Sequence, residues 1–423
     1  MTSGLAKSGV RGSLLFARPD RSLAWHADGV CVWDAAGRIC AADAWTVLAP
    51  QLPATAQIAH WPQHLITPGF IDCHVHLPQL DCRHRHGYRL LDWLERFIFP
   101  AEAAFADTAV ARDTARRFFT ELLRHGTTTA LIYCTIHEAA TQIAFEEAAA
   151  CGIRAIIGKV MMDRHSPPAL TERTSESLAA TERLLARWHG HDDRLYYAVT
   201  PRFALTSSDT LLREAGKIAA QGHAYFQTHI AEVPEEVARA HELFGVTDYV
   251  GLFADCGCLG PHSLFAHAIY LTDPEWARLA AAQATVAHCP SSNLFLQSGR
   301  MPYAKMCAHG VRCGLGTDVG AGPEFALWDV MARGVEQHGA TVFTPDTAFY
   351  HATLGGAHAL GLATTTGSLL PGLAADLVVT PLPTPCATAD SALAQLMQHW
   401  QRHVPAATYI NGTRVWPQTV VNE

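Results

Sequence analysis

No stretch of the 423-residue chain approaches the roughly 20 consecutive apolar residues of a membrane-spanning helix, so no membrane association is expected. The opening segment, MTSGLAKSGVRGSLLFARPD, returns to charge after a short apolar run and lacks the apolar region of a secretory leader. Basic residues are not in excess either. With a formal net charge of -8, the chain lacks the basic face that would neutralise nucleic-acid phosphates, and no nucleic-acid partner is expected. Its 12 cysteines are scattered and lack the dense spacing of a small secreted disulfide scaffold. A reduced, cytoplasmic protein is the simplest expectation. Internal repeats and low-complexity linkers are absent.

What is present describes a globular chain, with 49% hydrophobic and 17% charged residues. The length accommodates one barrel of about 250 to 300 residues and a smaller appended domain. Candidate strands are LITPGFIDCHVH from Leu65, TTTALIYCT from Thr127, RAIIGKVMM from Arg154 and LYYAVTPRF from Leu195. They continue with AYFQTHIAE from Ala224, SLFAHAIYL from Ser263, ATVAHCP from Ala284 and VRCGLGTD from Val311. Segments such as ARDTARRFFTELLRHG and SESLAATERLLARWHG lie between them, with apolar residues at helical spacing and a terminating Gly. Strands alternating with helices in this way predict a (β/α)8 TIM-like barrel over residues 68–369. The flanks, residues 1–67 and 370–423, hold short strand-like pieces, including ADLVVTPLP and ATYINGTRVWP. They are expected to form one small composite β-sandwich domain.

The chemistry begins at PGFIDCHVH. In a strand, residues i and i+2 share a face, so His74 and His76 can chelate one ion. Alone, the pair fits core histidines equally well. A second HxH, His84 and His86 in DCRHRHGY, follows no apolar run and reads as a solvated or substrate-loop pair. Further ligand-type residues stand at the ends of later strands, where barrel enzymes place catalytic groups: His229 and Glu232, His267, His288 and Asp318. Convergence of His74, His76, His229 and Asp318 on a metal explains that placement better than separately satisfied core groups. Three imidazoles and one carboxylate suit zinc, with ferrous iron possible, whereas calcium or magnesium prefers an all-oxygen shell. Such an ion lowers the pKa of bound water towards about 7. Glu232 could then move protons in the same pocket, its alternative role being a helix-starting Glu in HIAEVPEE.

At this point a resemblance becomes specific. PGFIDCHVHLPQ, HGTTTALIYCTIH, GKVMMD, TPRFALT, THIAE, AHAIYL, HCPSSNLFLQSG and GLGTDVGAG occur in order and closely resemble guanine deaminases of the amidohydrolase superfamily. LLDWLERFIFPAEAAF, from Leu90, resembles that group more than the superfamily at large. The similarity runs from about Pro68 to Gly372, with ADLVV and the INGTRV tail fitting the superfamily's β-domain.

The resemblance implies one zinc per chain, bound by His74, His76, His229 and Asp318, with His267 beside the metal-bound water. Lys159, the residue a two-metal relative would use as a bridge, reads as structural. Activated water would attack C2 of guanine, giving xanthine and ammonia, with Asp318 accepting a proton and Glu232 protonating the ring nitrogen. His76, Leu77, Pro78, Gln79, Arg202, Phe203, His229, Glu232 and Asp318 would contact substrate. Arg202 would donate to the purine carbonyl, although a salt bridge is its structural alternative, and Phe203 could equally serve packing. Related rings such as 8-oxoguanine, ammeline or cytosine share the same metal logic. A non-catalytic barrel would have lost ligands that remain here. The cytidine-deaminase fold is excluded, because Pro385-Cys386 is not followed by the second Cys of P-C-x-x-C. Family habit implies a homodimer.

Overall fold

The computed structural model describes residues 6–402 and 404–417; the ends of the expected terminal domain, residues 1–5 and 418–423, lie outside the described residues, as does residue 403. By internal packing the chain forms two units: Met1–Asp72 with Thr120–Thr129 and Ala326–Glu423, and Cys73–Phe119 with Ala130–Phe325.

The chain opens with strands β1 (Ser8–Ala17), β2 (Leu23–Trp33), β3 (Ile39–Ala44) and β4 (Gln57–Pro68). The barrel strands then follow as β5 (Phe70–His76), β6 (Thr127–Tyr133), β7 (Arg154–Gly158) and its short continuation β8 (Val160–Met161). Next come β9 (Leu195–Pro201), β10 (Tyr225–Ile230), β11 (Ser263–His267), β12 (Thr285–His288) and β13 (Arg312–Leu315). Strands β14 (Leu377–Pro381), β15 (Ala407–Ile410) and β16 (Thr413–Trp416) close the described chain.

Both termini build one seven-stranded mixed sheet, ordered β16-β15-β14-β4-β1-β2-β3. Strand β1 runs parallel to β4 and antiparallel to β2. Two-residue alternation covers both faces of this sheet: in β2, Cys31 and Trp33 join one apolar cluster with Val10, Leu14 and Leu377, while Val30 and Val32 join another with Leu48.

The second sheet runs β5-β6-β7-β9-β10-β11-β12-β13, with parallel pairing from β7 through β13. All eight expected strands are found in it. Their residues are almost wholly buried, as parallel strands covered on both faces require. One boundary differs from expectation. Leu65–Pro68 belongs to β4 of the terminal sheet, and β5 begins only after Gly69, where an added Cβ would collide with Thr128. At the other end of the ladder the Asp318 amide donates to the His74 carbonyl at 2.8 Å. Gly316 permits that approach, since a Cβ there would sit 2.7 Å from the His74 Cβ. The first and last strands therefore meet at two expected ligands. No helix among the described residues is long and apolar enough to cross a membrane.

Candidate active site

His74 and His76 point the same way from β5, and the chain places His229 near the end of β10. His267 is the last residue of β11, and Asp318 follows β13 by three positions. The strand exits are sharply turned: Ala231, His267, Ala268 and Asp318 all have positive φ, between 50° and 73°. Non-glycine residues rarely hold that conformation, and such strain clusters at functional sites.

The turns bring the side chains to one point. His76 Nε2 lies 3.3 Å from His74 Nε2 and 3.2 Å from His229 Nε2. Asp318 Oδ1 is 3.3 Å from both His74 Nε2 and His76 Nε2. Burial pushes His76 down to about 3 and holds His229 well below the ordinary imidazole range. Burial opposes the Asp318 charge, yet the His74 and His76 rings hold that carboxyl well below the usual range. The neutral rings of His76 and His229, with the His74 ring and an ionised carboxylate beside them, form the donor set that a divalent transition ion takes. His74, His76 and Asp318 form one such group, and His74, His229 and His267 another. The residues present therefore fit a metal ion.

The rings are oriented from behind. His229 Nδ1 lies 2.7 Å from the Arg202 carbonyl, so Nδ1 carries the hydrogen and Nε2 offers its lone pair inward. His267 Nδ1 meets Asn293 Oδ1 at 3.0 Å, which likewise turns Nε2 towards Glu232 Oε2 at 3.4 Å and Asp318 Oδ2 at 3.9 Å. The other Glu232 oxygen accepts from Ser298 Oγ at 2.8 Å. Burial, reinforced by the Asp318 charge, pushes Glu232 up to about 8, so this carboxyl keeps a proton near neutrality. Glu236, on the first turn of helix Pro234–Phe244, accepts from the Ala231 and Glu232 amides at 3.2 and 2.7 Å and from the Tyr249 hydroxyl at 2.8 Å. It braces the turn that presents Glu232.

One cavity collects His76, His229, Glu232, His267 and Asp318 with Gln79, Arg202 and Phe203. Leu77 and Pro78, also expected to touch substrate, are buried on the short helix Leu77–Cys82 and are not among the residues that line it. Arg202 is not a free cation. Its Nη1 donates to Glu102 Oε1 and Oε2 at 2.5 and 2.7 Å. The salt bridge weighed as an alternative to substrate contact thus exists, and the same guanidinium lines the cavity.

Away from the cavity, Lys159 Nζ donates to Glu172 Oε2 at 2.6 Å and Ser177 Oγ at 3.2 Å, in a buried pair separate from the His/Asp cluster. His288 is buried at the end of β12, where its carbonyl accepts from the Gly316 amide at 3.0 Å, and it belongs to neither ligand group. His84 and His86 are exposed, with the His86 ring 4.5 Å from that of Phe295. Sequence reading missed Glu102, Glu236, Asn293 and Ser298. Asn293 and Ser298 stand inside HCPSSNLFLQSG and Glu102 inside FIFPAEAAF, so the segments were visible although these side chains were given no task.

A buried His/Asp cluster at the carboxyl ends of barrel strands, sharing a cavity with a proton-holding carboxyl, defines a barrel hydrolase with a candidate metal centre. The amidohydrolase family pattern matches residues 65–415. The chain belongs to the amidohydrolase family and, with the following relatives, to its guanine deaminase group. The guanine deaminase of Escherichia coli K12 is 38% identical over 78% of this chain and 76% of its own. A probable guanine deaminase of Deinococcus radiodurans is 36% identical over 95% of this chain and 94% of its own. The solved E. coli guanine deaminase superposes with a TM-score of 0.92 at 33% identity, covering 97% of this chain and 100% of that one. A guanine deaminase from C. acetobutylicum, solved with bound guanine in its active site, gives 0.90 at 26% identity over 96% and 99%.

Proposed function

We propose that this protein hydrolyses the C2 amino group of guanine to give xanthine and ammonia, using one zinc ion per chain. The observation that carries the reading is the convergence of His74, His76, His229 and Asp318 within 3.3 Å contacts, three of them lining the cavity that Arg202, Gln79 and Phe203 also line. Likeness to guanine deaminases, one of them solved with guanine bound, supports the choice of ring.

In this reading those four residues hold the ion, with ferrous iron as the alternative. A bound ion would supply a water whose pKa is lowered towards about 7. His267, fixed by Asn293, would orient the attacking water, and Asp318 Oδ2 would accept its proton. Glu232 carries the proton that the ring nitrogen beside C2 needs as its carbon becomes tetrahedral, and later helps ammonia leave. Arg202 donates to the C6 oxygen, Gln79 meets the neighbouring edge, and Phe203 packs on the ring. Twelve cysteines outside any disulfide support a reducing, cytoplasmic setting, and a homodimer is the proposed assembly.

The test is ammonia release by zinc-loaded protein from guanine, 8-oxoguanine, adenine, cytosine and ammeline. Guanine is expected to have the highest kcat/KM. An inert guanine alongside turnover of another ring would overturn the substrate and leave the metal chemistry standing.

A further inference from the structure

Glu102 stands behind two residues of the cavity wall and takes no part in the reaction proposed above. Glu102 is fully buried, and its carboxylate receives two different side chains that line the cavity. Arg202 Nη1 donates to both of its oxygens, and Gln79 Nε2 donates to Oε1 at 3.2 Å. Phe99, one turn earlier on the helix Phe99–Ala103, lies under the same guanidinium, with Arg202 Cζ 5.5 Å from its ring centre. The Glu102 carbonyl accepts from Thr135 Oγ1 at 3.1 Å and ties this helix down.

An ionised carboxylate only accepts hydrogen bonds. Gln79 must therefore turn its NH2 towards Glu102, which leaves its carbonyl oxygen to meet a ligand. Gly320, at φ 122°, gives that oxygen room, since a Cβ there would collide with Gln79 Oε1. Arg202 can offer only donors. The cavity consequently presents one donor and one acceptor in a fixed arrangement.

We propose that Glu102 is a specificity-determining positioning residue, which locks Arg202 as donor and Gln79 as acceptor so that the site reads a ring lactam, a carbonyl beside an N–H. A 6-oxopurine with a hydrogen on N1 matches this pattern. A 6-aminopurine reverses it, placing an amino donor against Arg202 and a lone pair against the Gln79 oxygen. The inference rests on the reading of C2 deamination above.

The test compares guanine with 2,6-diaminopurine, which carries the same 2-amino group with the reversed edge. Each 2-oxo product is quantified for wild type, Glu102→Gln and Gln79→Met, with metal content and Tm recorded. Wild type should prefer guanine by about 10^4-fold in kcat/KM, the scale on which a polar site rejects a mismatched edge. Glu102→Gln, whose amide can donate as well as accept, releases Gln79 to flip. Its guanine kcat/KM should fall mainly through KM while the preference shrinks at least tenfold. Gln79→Met keeps the Glu102–Arg202 pair and should also shrink the preference, which decides the matter if Glu102→Gln does not fold. Equal losses on both substrates, an unchanged preference in Gln79→Met, or a wild type that accepts both rings equally would overturn the role of Glu102. A wild type inert towards guanine would instead overturn the proposed function.

Discussion

Two HxH pairs stand ten residues apart in this chain and have opposite fates. His74 and His76 end a fully buried strand, and both rings reach a carboxylate oxygen at 3.3 Å. His84 and His86 follow the helix that leaves that strand, stay exposed, and lie 6.5 Å apart ring to ring. The spacing is the same, so spacing alone does not bring two histidines to a carboxylate. Strand geometry puts i and i+2 on one face, and burial removes the water that would otherwise satisfy both rings.

Substitutions that separate the two pairs give the sharpest contrast. His74→Ala should release the metal and reduce ammonia formation to background, which metal analysis and a coupled ammonia assay would check together. Glu232→Gln should keep the metal while lowering kcat by roughly 10^2- to 10^4-fold, the range for a lost proton-transfer group. Retained turnover would remove Glu232 from the proton path. Asn293→Ala frees the ring of His267 and should cost about 10- to 100-fold in activity or metal affinity. At the small end, His84→Ala with His86→Ala should leave kcat/KM and metal content unchanged, with stability within about 0.5 kcal/mol. A loss of metal in that double variant would erase the contrast.

The sequence made the barrel legible because its parallel strands are short apolar runs that end in polar, ligand-type residues. The candidate metal cluster was legible for the same reason: HxH at a strand end, then His229, His267 and Asp318 at later strand ends. Phe203 and Gln79, which the resemblance implied as substrate contacts, line the cavity. The side chains that hold those groups were harder to see. Glu102 reaches Arg202 across 100 residues and Ser298 reaches Glu232 across 66, and neither periodicity nor spacing encodes a meeting of that kind. Leu77 and Pro78, which the resemblance implied as substrate contacts, are buried on the short helix that follows His76. Lys159 was read as structural from the pattern around it, and its buried bond to Glu172 gives that reading a physical basis. Breaking such a buried pair from one side leaves an uncompensated charge, so Lys159→Met should destabilise the fold by about 3 to 5 kcal/mol without removing metal.

Four side chains are proposed to share one ion, and metal content tests that sharing most directly. Metal analysis of the protein purified with zinc should give one equivalent per chain, dropping to near zero in His74→Ala and staying at one in Lys159→Met. Two equivalents in the wild type, with one lost in Lys159→Met, would contradict it.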